Sequence, residues 1–416
     1  MAHHPISGRT PSKRLLRRLT GAAVLCAALL VPDTAAQAQE DPDPADPSLL
    51  QSDAEALETD LALIAEAHGW TVAQARAQHV AAEAVEDAAW AVYERAPDTF
   101  VGTVLSLTPG GTPSLLLKGP ADDWTTSLAA SGAVPIDIVD KQPYSFTELQ
   151  SLNDRLIDSL TALGYKQISS GEDVLAGTVV AEVQAEPGLR SSSAEIEALL
   201  PPDVAAGVDL AVTDALASGF DHAYGGARVR NGASNKCTSG WTVVAPGGTT
   251  GVTTAGHCDG IDGILEDGVG AWALTHRQEH IGRYGDVEWK TSTHAEPAKF
   301  YPSAGTLRTT REVELLVEMS LNESVCLYGR SSNDRDCGSL IKSRAHSCTI
   351  DGVGVRNLIR TNRDIGIGGD SGGGWSYAST AYGGHTGWCT VNGATRDVFS
   401  AADLFSSAIG VRVRTA

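Results

Sequence analysis

Hydrophobic positions change their spacing twice along the chain. A basic stretch ending at Arg18 leads into an unbroken apolar run, Leu19–Val31, followed by the small residues of Ala36-Gln37-Ala38. The run is too short to span a bilayer comfortably, and this order of regions predicts an export signal over residues 1–38, cut before Gln39. Residues 40–47 carry no core-forming side chains and read as a solvated leader. Leu57, Leu61 and Ile64 then recur at helical spacing behind Ser52 and Asp53, which can cap a helix. Further helical stretches run through Ala81–Tyr93 and Leu156–Leu163, whereas Phe100–Leu107, Ser114–Lys118 and Thr178–Gln184 read as strands. Pro201-Pro202 and the stretch to Phe220 read as a trailing connection. From Tyr224 onward, short β-branched and aromatic runs alternate with Gly, Asn, Ser and Thr clusters: Trp241–Ala245, Gly251–Thr254, Val313–Val317, Thr349–Val355 and Trp375–Tyr377. That texture predicts an all-β sandwich or barrel behind an α/β-mixed block.

Charge divides the chain at the same places. Of the net −20, residues 39–222 hold 7 basic against 31 acidic side chains, while residues 223–416 hold 19 of each. The balance excludes an ordinary nucleic-acid binder, which needs a basic face to displace counterions. Six of seven cysteines (Cys237, Cys258, Cys326, Cys337, Cys348, Cys389) lie in the neutral block and the seventh, Cys26, in the signal. In an exported protein, six cysteines form a disulfide framework rather than a metal cage. Residues 39–222 and 223–416 are therefore expected to be two folding units with different jobs, secreted to the extracellular space, with no membrane attachment once the signal is cut.

The densest chemical signal is Gly368-Gly369-Asp370-Ser371-Gly372-Gly373-Gly374. A hydroxyl that attacks a carbonyl needs bare backbone on both sides, so that substrate can approach and amide N–H groups can face the developing oxyanion. Alone, such a turn is equally a surface loop. A second segment, Thr253-Thr254-Ala255-Gly256-His257-Cys258, offers a histidine held by a half-cystine directly after it, a rigidly placed base.

Thr-Ala-Gly-His-Cys followed downstream by Gly-Asp-Ser-Gly-Gly resembles the trypsin/chymotrypsin family of serine endopeptidases, and within it the bacterial secreted branch of streptogrisins and alpha-lytic protease. Val325-Cys326 with Cys337-Gly338, and Leu358-Ile359-Arg360-Thr361-Asn362, add to the likeness, which spans residues 224–416. The resemblance implies a mostly β fold, two antiparallel β-barrels with the active site between them, preceded by a pro-region. It implies a triad in the order His257, Asp286, Ser371, with the N–H groups of Gly369 and Ser371 as the oxyanion hole. Asp286 heads a strand after a glycine turn in Tyr284-Gly285-Asp286-Val287-Glu288-Trp289; Asp259, Asp262, Glu266, Asp267, Glu279 and Glu288 compete with it. The branch also implies the pairs Cys237–Cys258 and Cys326–Cys337, leaving Cys348 with Cys389.

Two departures stand out. The branch has a Cys a few residues before its nucleophile, where this chain has Asp364–Ile367. The arginine that pairs with the acid before the nucleophile is replaced by Leu327, so Asp370 must use Arg330 or backbone donors. Thr380–Gly387 matches the strand that walls the primary pocket in streptogrisins, placing His385, Thr386 and Gly387 there. His385 falls where glutamate-selective members carry a pocket histidine, so it either binds a substrate carboxylate or packs in the barrel. His276 and His280 do not give the zinc-protease order, and no metal or cofactor is expected.

The expected activity is hydrolysis of protein or peptide substrates by a monomeric secreted serine endopeptidase made as a precursor. Residues 39–222 would act as a folding aid and inhibitor, with Thr178–Gln184 adding to an exposed sheet edge. The alternative in another class is an inactive secreted binding protein on a protease fold.

Overall fold

The computed structural model describes residues 49–416 apart from 215, 217, 221–226, 233, 267–269 and 351, with 218–220 described by backbone alone. The export signal, the leader, Asp267 and the junction residues Asp221, His222 and Tyr224 lie outside the described residues.

Three of the helices in the acidic block begin on capping boxes, because a Ser or Thr hydroxyl and a Glu or Gln three residues on satisfy each other's backbone donors. Ser52 with Glu55 opens Asp53–His68, Thr71 with Gln74 opens Val72–Arg95, and Ser145 with Glu148 opens Phe146–Ala162. The last helix carries Leu149, Leu152, Leu156 and Leu160 along one stripe, which packs on Val101, Leu116, Ile168 and Val179. Phe100–Val104, Ser114–Lys118 and Asp137–Gln142 form a small mixed sheet. The strand Ile168–Asp173 pairs with Thr178–Gln184, which in turn pairs in parallel with Val208–Thr213.

After residue 227 the chain is β-rich and mostly antiparallel. Ser324–Tyr328, Gly374–Tyr377, Thr380–Val391, Ala394–Ala401, Val353–Thr361 and Arg335–Ile350 pair in that order, and the last returns to the first. The result is a closed barrel of six antiparallel strands, which leaves few edges unpaired. The other barrel is built of two sheets, one of four strands running Ser234–Thr238, Arg228–Asn231, Gly263–Glu266, Gly270–Ala273. The other has five strands, with Thr250–Thr254 at its centre and Gly285–Thr291 beside it. Val229, Cys237, Val252, Ala255 and Ile264 fill the space between the two sheets. The fold is thus mostly β, and no described helix is long and apolar enough to cross a membrane.

Several elements differ from the sequence reading. Of the Val313–Val317 run only Val313 pairs as strand, in Glu312–Val313; Leu316 and Val317 turn into the core instead. A short apolar run serves a buried turn as well as a strand, and periodicity cannot separate them. Thr349–Val355 crosses the tip of a hairpin, turning at Gly352. The supposed connection to Phe220 contains the helix Pro202–Ala205 and the strands Val208–Thr213 and Ser218–Phe220. Thr178–Gln184 does not itself pair with the barrel: Ile168–Asp173 stands between, pairing Ser170 with Ser347 and Ser169 with Cys348.

The two charge blocks share apolar packing. Ala89, Val92, Phe100 and Leu115 lie in one cluster with Met319, Ile341, Ile359 and Phe399, and Leu61 and Ile64 pack on the Cys326–Cys337 bridge. Arg344, wholly buried, stacks over Phe146 at 4.2 Å and donates to the Val101 carbonyl at 2.9 Å. Burial lowers its pKa to about 10, the Glu172 carboxylate pulling the other way.

Candidate active site

His257 follows the strand Thr250–Thr254, and Asp286 is the second residue of Gly285–Thr291, so adjacent strands of the first barrel present both. Asp286 Oδ1 accepts from the His257 backbone N–H at 2.9 Å, and Oδ2 lies 2.7 Å from the ring Nδ1. An ionised carboxylate can only accept, so Nδ1 carries the proton and Nε2 turns a lone pair outward. That Nε2 lies 2.9 Å from Ser371 Oγ, which comes from the turn ahead of Gly374–Tyr377 in the second barrel. Ser371 and Asp286 are buried and the His257 side chain keeps 5% exposure. The structure therefore brings His257, Asp286 and Ser371 into one hydrogen-bonded line between the barrels.

The competing acids are engaged elsewhere. Glu288 is bonded to Lys290 at 2.9 Å and to His276 at 3.2 Å, and burial raises its pKa despite both partners. Asp262 accepts from the Gly232 N–H, and Glu266 accepts from Tyr301. Asp259 and Glu279 are exposed.

Local structure explains the precision of the site. Gly285 has φ +98°, in the left-handed region, and a Cβ there would stand 2.6 Å from Ser400 Oγ. That hydroxyl accepts from the Asp286 N–H at 2.8 Å and touches Thr386 Oγ1 at 2.9 Å. Ser400 thus orients the acid from 114 residues away, a separation no local motif reveals. On the other side, the Thr238 N–H donates to the Ser371 carbonyl at 2.7 Å and its hydroxyl to the Gly369 carbonyl at 3.0 Å. Thr238 adjoins Cys237 and His257 adjoins Cys258, so the Cys237–Cys258 disulfide ties the Ser371 turn to the histidine turn. The other bridges are Cys326–Cys337 and Cys348–Cys389.

Asp370 uses backbone donors. Its Oδ1 accepts from Ser331 and Ser332 N–H at 2.9 and 3.2 Å, and its Oδ2 from Ile367 N–H at 3.2 Å. Arg330 donates instead to Tyr328 and Asn333. Gly369, with φ +105°, lies in the turn so held.

His385, Thr386 and Gly387 lie on Thr380–Val391, and all three are buried. The His385 carbonyl accepts from Gly372 N–H at 2.7 Å, which fastens this strand to the Ser371 turn. Its Nδ1 accepts from the Trp375 indole N–H at 3.2 Å, so the proton sits on Nε2. The Nε2 side lies against Gly366, where a side chain would collide with it, and beside the Asp397 carboxylate. Sequence reasoning missed Asp397, which is buried and accepts from Ile365 N–H at 2.8 Å. Burial lifts its pKa to about 7, with His385 and the backbone donors opposing the rise. The strand Ser218–Phe220 runs antiparallel to Thr380–Val391, with Phe220 opposite Gly387 and Ser218 opposite Cys389.

Among the described residues, four groups bring three possible ligand atoms within 4.8 Å of one another. Three contain disulfide sulfurs, and in the fourth, Glu86, Glu314 and Glu323, Glu323 accepts from the Tyr382 hydroxyl.

No family model matches the chain, and no curated protein does. Solved structures do. Protease A of Thermobifida fusca is 25% identical, covering 46% of this chain and 98% of its own, with a TM-score of 0.37. A chymotrypsin of Cellulomonas bogoriensis is 22% identical over 46% of this chain and 98% of its own, also at 0.37. A glutamic acid specific serine protease, described as using a histidine triad in substrate binding, is 20% identical over 46% of this chain and 99% of its own, at 0.37. Over that share of its length the chain resembles serine proteases of the chymotrypsin kind.

Proposed function

We propose that the chain is a secreted serine endopeptidase made as a precursor, with residues 39–222 as its pro-region. The observation that carries the reading is the continuous array Asp286 Oδ2, His257 Nδ1 and Nε2, Ser371 Oγ, with contacts of 2.7 and 2.9 Å. In the proposed reaction Ser371 Oγ bonds to the scissile carbonyl carbon as its proton passes to His257 Nε2. The N–H groups of Gly369 and Ser371 hold the oxyanion. Collapse of the tetrahedral adduct breaks the C–N bond, and His257 gives its proton to the departing amine. Water, deprotonated by His257, then cleaves the acyl-enzyme and restores Ser371. Asp286 keeps the ring in the tautomer that leaves Nε2 free to accept.

In the uncut chain the backbone of Ser218–Phe220 occupies the edge of the pocket wall, which supports a blocking role for the acidic block. The apolar clusters shared by the blocks support a role in folding, since a tethered partner acts at high effective concentration on a fold dominated by non-local pairing. At the primary pocket we propose a preference for acidic side chains, through the Nε2–H of His385.

The test is labelling by a fluorophosphonate together with hydrolysis of a peptide library. Stoichiometric labelling that Ser371→Ala abolishes, with cleavage after acidic residues, is the expected result. A folded, unlabelled and inactive chain would leave the binding-protein reading standing, and cleavage with no preference for acidic residues would remove the pocket assignment. Amino-terminal sequencing of the secreted product tests the precursor reading.

A further inference from the structure

Asp60, on the helix Asp53–His68, buries its carboxylate in a pocket of donors belonging to the neutral block. Arg308 donates to it through Nη1 at 2.9 Å and Nη2 at 3.1 Å, Arg335 through Nε at 2.8 Å and Nη2 at 2.7 Å, and Ala378 through its backbone N–H at 2.7 Å. These donors are held from their own side. Arg308 Nη1 also reaches the Ala378 carbonyl at 3.0 Å, and Arg335 Nη1 reaches Ser376 Oγ at 3.0 Å. Ala378, with φ +47°, sits in the turn between Gly374–Tyr377 and Thr380–Val391, which fixes the backbone that carries this N–H. From the acidic block the arginines receive Asp60 and the Gln51 side-chain carbonyl, which accepts from Arg308 Nε at 2.8 Å. An open groove lined by Leu50, Gln51, Glu55, Glu58 and Thr306 adjoins that end of the cradle.

Two guanidiniums facing one another repel unless an anion stands between them. Their planar forks match a carboxylate more closely than any other common side chain. We infer that Arg308, Arg335 and the Ala378 N–H are a carboxylate-binding site, filled by Asp60 in the full chain and open, once the acidic block is cut away, to an acidic helical peptide. The helical form follows from a second contact. Asp53, seven residues before Asp60, meets Arg311 at 3.0 Å and the Ser379 hydroxyl at 3.0 Å. Seven residues are about two helical turns, so both carboxylates lie on one face of the helix. The opening of the site rests on the precursor reading; the existence of the cradle does not.

The first experiment therefore uses the full chain and needs no processing. Asp60→Ala vacates the cradle, and sodium formate raises the melting temperature of that variant above its value in sodium chloride of equal ionic strength. Formate has no such excess effect on the parent chain or on Asp60→Ala combined with Arg335→Met. Should Asp60→Ala not fold in chloride, its refolding yield in formate against chloride reads the same effect. Equal behaviour in the two salts overturns the site. The second experiment measures anisotropy of a labelled peptide of residues 49–68 with the processed protein. Changing Asp60→Asn in the peptide is expected to weaken binding about 30-fold, and an unchanged affinity overturns the polypeptide ligand even where formate is bound. A chain that is never cut defeats the precursor reading, while the formate result still decides the cradle.

Discussion

Asp60 and Asp286 are both buried carboxylates that join elements distant in sequence, yet their partners differ in one chemical respect. Asp60 faces two guanidiniums, which grip it through planar forks of N–H donors. Asp286 faces one imidazole, which offers it a single ring N–H, and spends its second oxygen on a backbone N–H. The first arrangement is therefore a fixed clasp between the acidic and neutral blocks. The second, in the proposed reaction, moves a proton, and it is held still by Ser400 and by the disulfide next to His257.

Altering each acid should separate the two roles. Asp286→Asn is expected to lower peptide hydrolysis on the order of 10⁴-fold while leaving thermal stability nearly unchanged, because the amide can hold the ring in the wrong tautomer. Steady-state kinetics with a melting curve checks both halves. Asp60→Ala should do the reverse in the uncut chain, costing about 3–5 kcal/mol in denaturant unfolding, since it strands two buried guanidiniums.

The same clasp predicts a pH response. Burial raises the pKa of Asp60, but Arg335 and Arg308 outweigh it and hold the carboxyl below its usual range. Its contribution is therefore present above about pH 4 and is lost as pH falls through the lowered folded value. Acid unfolding of Asp60→Asn should show a shallower dependence below about pH 4 than the parent chain.

Asp397 carries the opposite sign. Its raised folded value, about 7, means that stability falls as pH climbs from the unfolded carboxyl range toward 7. Asp397→Asn should flatten that fall. It should also keep selection for acidic peptides from weakening above neutral pH, since no new anion then appears beside His385; a two- to tenfold change is expected (an order-of-magnitude figure, about 1 kcal/mol). Peptide profiles at pH 6 and 8 check it (values chosen on either side of about 7). Smallest of all, Arg330→Ala should change hydrolysis less than about threefold, because backbone N–H groups rather than Arg330 hold Asp370.

Much of this was legible along the chain. Capping pairs such as Ser52 with Glu55 act over three residues, and the glycines around Ser371 or the half-cystine after His257 act over one or two. Such signals survive in sequence because their physics is local. The contrast in charge between residues 39–222 and 223–416 was also plain along the chain, since it needs only a count of side chains. What the chain alone left open were partners brought together from far apart. Asp370 had an arginine within reach and took backbone N–H groups, and Asp397 was unseen behind His385 until Ala394–Ala401 was laid beside Thr380–Val391. The strand Val208–Thr213 passed for a connection because its mate, Thr178–Gln184, lies thirty residues away. Composition and spacing singled out His257, Asp286 and Ser371 as candidates. Only closure of the second barrel against the first decided which of them meet, because burial removes water as a competing partner and makes each distant donor and acceptor choose one another.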